Sequence, residues 1–145
     1  MMLTTSQWML FPGPDTLVHT WRTVCDGTVR NRLGINSKVA VGDNQRGPER
    51  LICIYTKDFS DIEDVRRVLE EIIDLGLIQR NSPRGIYYKC DAWTYLGIES
   101  NNPYGLRASH YSSKDVLGGG NATSQKKPAS TKKQATLEGF GRKKR

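Results

Sequence analysis

Leu51-Ile-Cys-Ile-Tyr-Thr56 runs directly into Lys57-Asp-Phe-Ser-Asp-Ile-Glu-Asp-Val-Arg-Arg-Val-Leu-Glu-Glu-Ile-Ile-Asp-Leu-Gly76, and the hydrophobic period changes between the two. The first segment is rich in β-branched and aromatic residues, which predicts a strand. In the second, Ile62, Val65, Val68, Leu69, Ile72, Ile73 and Leu75 recur three and four apart. That spacing predicts an amphipathic helix with one face on a core and the other in water. Ser60 and Glu63 have the spacing of a capping box, and Gly76 is placed for a left-handed C-terminal turn.

The same alternation of periods continues outward. Toward the N-terminus, Leu17, Val18, Trp21, Val24 and Cys25 form a second helical stripe, with Asp15 placed to cap it and Gly27 to end it. Ahead of it, Gln7 to Phe11 reads as a strand leaving into Pro12-Gly13-Pro14. Lys38 to Val41 pairs with Leu51 to Thr56 as an antiparallel hairpin across the turn-rich Gly42 to Arg50. Beyond the longer helix, Gly85 to Cys90 and Ala92 to Ile98 are strand-like, and Asn101 to Gly105 must turn. Trp8, Trp21 and Trp93 are expected as core anchors. This order predicts an α+β fold, a curved and mainly antiparallel sheet with two helices on one face. The other face is either solvated or a binding surface.

Charge divides the chain in two. Residues 1–117 carry 14 Lys plus Arg against 14 Asp plus Glu, so the formal +7 arises wholly from 118–145. Residues 1–117 are expected to be one domain, and 118–145 a disordered basic tail whose Gly, Ser, Thr and Lys content cannot build a core. The net charge therefore says nothing about a basic face on the domain. Cys25, Cys53 and Cys90 are odd in number, widely spaced and free of CxxC pairing, which predicts reduced, buried thiols. No stretch has the length or apolarity of a membrane span or a signal peptide. His19 and His110 have no metal-ligand spacing, and Gly118-Gly-Gly120 lacks the phosphate-loop pattern. No catalytic constellation, metal or cofactor is expected, and the chain is read as a monomer that is not an enzyme.

The runs QWMLFPGPDTLVHTW (Gln7–Trp21), SKVAVGDNQRGPERLICIYTKDFSDIEDVRRVLEEI (Ser37–Ile72) and YYKCDAWTYLGI (Tyr87–Ile98) resemble the basophilic-leukaemia-expressed protein family, over roughly Gln7 to Ser113. The resemblance implies a fold like that of the cap-binding translation initiation factor 4E. It does not imply cap binding. The segment that holds sandwiching aromatics in that factor is reduced here to about Thr28 to Ser37, Tyr55 stands where a tryptophan would align, and Leu51 replaces a lysine.

Within the domain, Lys38, Tyr55, Lys57, Asp58, Tyr88, Lys89, Asp91, Tyr95 and Arg107 interleave aromatic and charged side chains near strand ends. Rings stack on bases and cations hold phosphates, so these residues are the candidate site for RNA or a nucleotide-like ligand. The plainer alternative is solvated lysines and core tyrosines. In the tail, Gln134, Leu137 and Phe140 recur every three residues, which a 3₁₀ turn would align on one side. They resemble the box by which peptides dock on a DNA sliding clamp, with Gly141 replacing the second aromatic. Lys126, Lys127, Lys132, Lys133, Arg142, Lys143, Lys144 and Arg145 suit nuclear import, which places the chain in the nucleus with a share in the cytoplasm. The expected role is a nuclear adaptor that joins an RNA- or nucleotide-binding domain to a clamp-docking tail. The alternative is an RNA-binding protein whose tail supplies only import and phosphate contact.

Overall fold

The computed structural model of the chain describes residues 5–42 and 47–118. Strand β1 (Ser6–Leu10) is central, and its two neighbours are β3 (Ile52–Thr56) and β4 (Tyr87–Cys90). Strands β2 (Asn36–Val39) and β5 (Tyr111–Ser112) form the edges of a curved five-stranded sheet ordered β2-β3-β1-β4-β5, antiparallel throughout. Two 13-residue helices, α1 (Leu17–Val29) and α2 (Ile62–Asp74), supply the core on one face. Two five-residue helices, α3 (Asp91–Tyr95) and α4 (Ser113–Leu117), follow β4 and β5. Among the described residues no helix is long and apolar enough to cross a membrane.

Register determines which side chains meet the helices. Trp8 lies opposite Ile54 and Tyr88, and Leu10 opposite Ile52. All five are buried with Val24 of α1 and Val65, Val68, Leu69 and Ile72 of α2. Trp8 is wholly covered, its Nε1–H donates to the Val65 carbonyl at 3.1 Å, and its ring stands 5.2 Å from that of Tyr88. The Tyr88 hydroxyl is paired with Thr56 Oγ1 at 2.5 Å, so the buried phenol is satisfied. Cys53 and Cys90 are buried as expected, Cys25 is only half-buried, and the three are not bridged to one another.

The β2–β3 hairpin and the left-handed Gly76 (φ 73°) follow the sequence reading, except that β2 lies two residues earlier than the expected Lys38 to Val41. Other expectations do not hold. Helix α1 is capped at Thr16 without a side-chain hydrogen bond, so Asp15 does not cap it. Gly27 lies inside α1 instead of ending it. Its Cα faces the Leu33 side chain, only 2.9 Å from where a Cβ would sit, and Asn31 takes the left-handed turn at φ 57°. Val18 points outward, 61% exposed, and Trp21 is half-buried against the core. The N-cap of α2 is Asp61, which accepts from the Asp64 amide at 3.2 Å. Ser60 does not cap because its hydroxyl and amide both donate to Asp58.

The largest departure is at Ala92 to Ile98, where a strand was expected and helix α3 followed by a turn at Gly97 is found. The cause is the length of β1. Cys90 pairs with Ser6, the first residue of β1, and Asp91 donates its amide to Thr5 beyond it. The ladder then ends, and an unpaired backbone does better by coiling into its own hydrogen bonds. The body closes with α4, whose capping box of Ser112 and Asp115 the sequence reading missed.

Candidate functional site

The face of the sheet turned away from α1 and α2 follows from the two-residue period of its strands. Gln7 of β1 lies between Tyr55 of β3 and Lys89 of β4, and Tyr55 lies opposite Asn36 of β2. The next row holds Met9, with Cys53 and Tyr87 on either side and Lys38 opposite Cys53. Asp91, the first residue of α3, joins this group through its charge interaction with Lys38, Tyr55 and Cys53.

These groups feel one another. The Lys38 ammonium stands 5.9 Å from the centroid of the Tyr55 ring, and its hydrogen bond with the Tyr55 hydroxyl holds its pKa above the ordinary value. Burial pushes the Tyr55 phenol up, against the opposing pull of Lys38. Burial also raises the Cys53 thiol, which makes it a poor nucleophile. The Asp91 carboxyl is raised by burial and partly restored by Lys38. Gln7 is only 6% exposed, and its Oε1 has no hydrogen-bond partner among the described residues. A buried acceptor left unpaired costs about 1–3 kcal/mol, and because this oxygen is screened from solvent a ligand can donate to it only once the side chains around it move aside. The face thus offers an acceptor, a ring with a cation over it, a second lysine and a carboxyl, a set suited to holding a planar ligand that carries N–H donors and anionic groups.

Lys38, Tyr55, Lys89 and Asp91 are therefore brought together as the sequence suggested. The other candidates are not. Tyr88 points into the core, where burial pushes its pKa up to about 12, so it cannot touch a ligand. Lys57 is exposed just past β3, and Asp58 is spent on the turn to Ser60, whose two bonds lower its pKa. Tyr95 is 80% exposed on α3. Arg107 lies at the other end of the sheet, 3.5 Å from Asp115, beside an open groove of about 820 Å³. Gln134, Leu137 and Phe140, and the basic residues from Lys126 to Arg145, lie outside the described residues. Gln7, Met9 and Tyr87 were missed. Their signal was the alternation with Trp8, Leu10 and Tyr88.

The raised Asp91 carboxyl gives a pH-dependent prediction. A group whose folded pKa exceeds its unfolded one favours the folded state only below the unfolded value, and that advantage is lost as pH rises through the folded pKa. Asp91→Asn is accordingly expected to raise the melting temperature at pH 7 and to leave it unchanged below about pH 3.5, under the ordinary carboxyl value. Melting curves at the two pH values check this. A lowered melting temperature at pH 7 would mean that attraction to Lys38 outweighs burial.

The family model described as basophilic leukemia-expressed protein Bles03 matches residues 1–97, stopping short of the Ser113 limit suggested by the sequence. The matched stretch runs through α3 and includes Gln7, Lys38, Tyr55, Lys89 and Asp91, the whole of the open-face cluster. With two thirds of its length matched, the chain belongs to the basophilic leukemia-expressed protein Bles03 family.

Proposed function

We propose that this chain is a non-enzymatic nuclear adaptor whose domain binds RNA or a nucleotide-like ligand on the open face of its sheet, and whose tail docks on a DNA sliding clamp. The observation that carries the domain's role is the juxtaposition of the Tyr55 ring, the Lys38 ammonium and the unpartnered Gln7 Oε1 on the face of the sheet turned away from α1 and α2. A base stacks on the ring and donates to the amide, while Lys38 and Lys89 hold phosphate. The tail's role rests on Gln134, Leu137 and Phe140 at a three-residue spacing, flanked by Lys132-Lys133 and Arg142-Lys143-Lys144-Arg145 that favour import and attract acidic surfaces.

The domain is tested by titrating a labelled single-stranded RNA with the full chain at about 0.3 M salt, where contact by tail lysines alone is screened. Tyr55→Ala is expected to weaken binding about tenfold or more, since a stacked base contributes about 1–3 kcal/mol. Equal binding by the variant, or binding that vanishes at this salt, would leave only the tail in contact with RNA and remove the open face from the mechanism.

The tail is tested separately with its peptide and a purified clamp. Phe140→Ala is expected to abolish most binding because Phe140 is the only ring anchor, a type of contact worth about 2 kcal/mol or more. Gly141→Phe should strengthen binding by restoring the second ring. If Phe140→Ala binds as well as the native peptide, the tail is merely basic.

A further inference from the structure

The edge strand β2 carries a second surface, unrelated to the open face. In the β2–β3 ladder the Ala40 amide points inward, donating to the Leu51 carbonyl at 2.8 Å. Antiparallel strands alternate, so the backbone groups of Val39 and Val41 point away from the sheet. Neither residue has a backbone partner on that side among the described residues. Ser37, which also points outward, is blunted, because its amide donates to the Asn36 side chain at 2.8 Å. The unprotected edge therefore begins at Val39.

Beside that edge runs an apolar groove of about 390 Å³ between β2 and the first turns of α1. Leu17, Trp21 and Val39 form its floor, each half-buried. Val18 and Val41 stand at its sides, 61% and 86% exposed. An exposed strand edge lined by valines is the kind of surface that proteins ordinarily cover or charge. Here the charge lies at the rim of the groove and, among the described residues that line it, has a single sign. Arg22 and Arg50 line it, and neither has an acidic partner among the described residues.

We propose that this edge is a docking site for an extended segment of another protein, which adds as a strand beside β2. Its apolar residues, at every second position, enter the groove over Trp21, and its acidic residues meet Arg22 and Arg50. Main-chain bonds to Val39 and Val41 supply general affinity, and the groove and the arginines select the sequence. Charge argues against the two occupants nearest to hand. A second copy of the chain would set Arg22 and Arg50 against their own counterparts, and the tail carries eight Lys plus Arg against one Glu.

The test selects 12-residue peptides from a displayed random library on the immobilised full chain, with the Val41→Pro chain as counter-selection. Proline at this exposed position removes the outward amide without touching a ladder bond, so the melting temperature should be unchanged. The expected winners alternate apolar and polar residues, carry net negative charge, and bind Val41→Pro and the Arg22→Glu/Arg50→Glu pair at least tenfold more weakly. Winners with apolar residues three and four apart, winners without acidic residues, or a failure to discriminate against Val41→Pro would each overturn the proposal. So would a concentration-dependent dimer of the native chain that Val41→Pro dissolves, since the edge would then belong to a second copy.

Discussion

Gly34→Ala is expected to cost about 3 kcal/mol or more and to leave little folded protein at 37 °C. A Cβ at Gly34 would stand 1.6 Å from the Tyr55 carbonyl oxygen and 2.7 Å from its carbon. Both are backbone atoms of β3, so no rotamer change can relieve the overlap. The same carbonyl accepts the Ile35 amide at 3.0 Å, so displacing it also breaks the bond that leads the chain into β2. The cost is one of contact, since Gly34 has an ordinary backbone conformation. Gly13 is the control, with nothing within 4 Å of its would-be Cβ, and Gly13→Ala should be close to neutral. Urea titration of both variants measures the difference. A Gly34→Ala chain with a native midpoint would mean that β3 yields more easily than its pairing on both sides implies.

The position of Gly34 also shows how the domain's layout builds the site. Tyr55 presents its ring to the open face while its carbonyl meets the chain arriving from α1. A shift of that carbonyl would carry the ring away from Lys38, so the packing of the α1–β2 link and the geometry of the site are one constraint.

What could be read from the sequence was local, and what could not was pairing. The change of period at Ile62 identified β3 and α2 because each shows its burial pattern within a dozen residues. Ala92 to Ile98 has strand-like composition, yet whether it forms a strand depends on where β1 begins, some eighty positions away. The caps failed for a different reason. Asp58, Ser60 and Asp61 are all competent to start a helix, and the choice lay in which of them was consumed by a turn.

The site was legible to the same degree. Lys38, Tyr55 and Lys89 stood out as charged or aromatic residues at strand positions, and the register unites them, while Asp91 joins from the start of α3. Tyr87 and Tyr88 cannot be told apart by composition. Only pairing with Met9 and Trp8 sends the first outward and the second into the core. Gln7 escaped notice as one polar residue in an apolar run. Arg107 sits in a loop whose path no periodicity predicts.

Strand β1 supports both faces, and replacing its residues one by one should separate stability from binding. Trp8→Ala is expected to cost about 3–5 kcal/mol, the range for emptying a wholly buried large aromatic site. It removes the packing on Tyr88 and the hydrogen bond to the Val65 carbonyl that ties α2 to the sheet. Trp8→Phe should cost less, since it keeps much of the buried area and loses the bond. Gln7→Leu, one residue away, is expected to be neutral or mildly stabilising, because it replaces an unpaired buried acceptor with an apolar side chain of similar size. It should nonetheless abolish the part of RNA or nucleotide binding that depends on the amide. Thermal melts rank the three variants, and the RNA titration is then run on those that remain folded. If Gln7→Leu proves as destabilising as Trp8→Ala, the Gln7 amide is a structural partner of the sheet and the open face has lost its strongest polar anchor. If it folds well and binds less, the unpaired oxygen is the price of a recognition site.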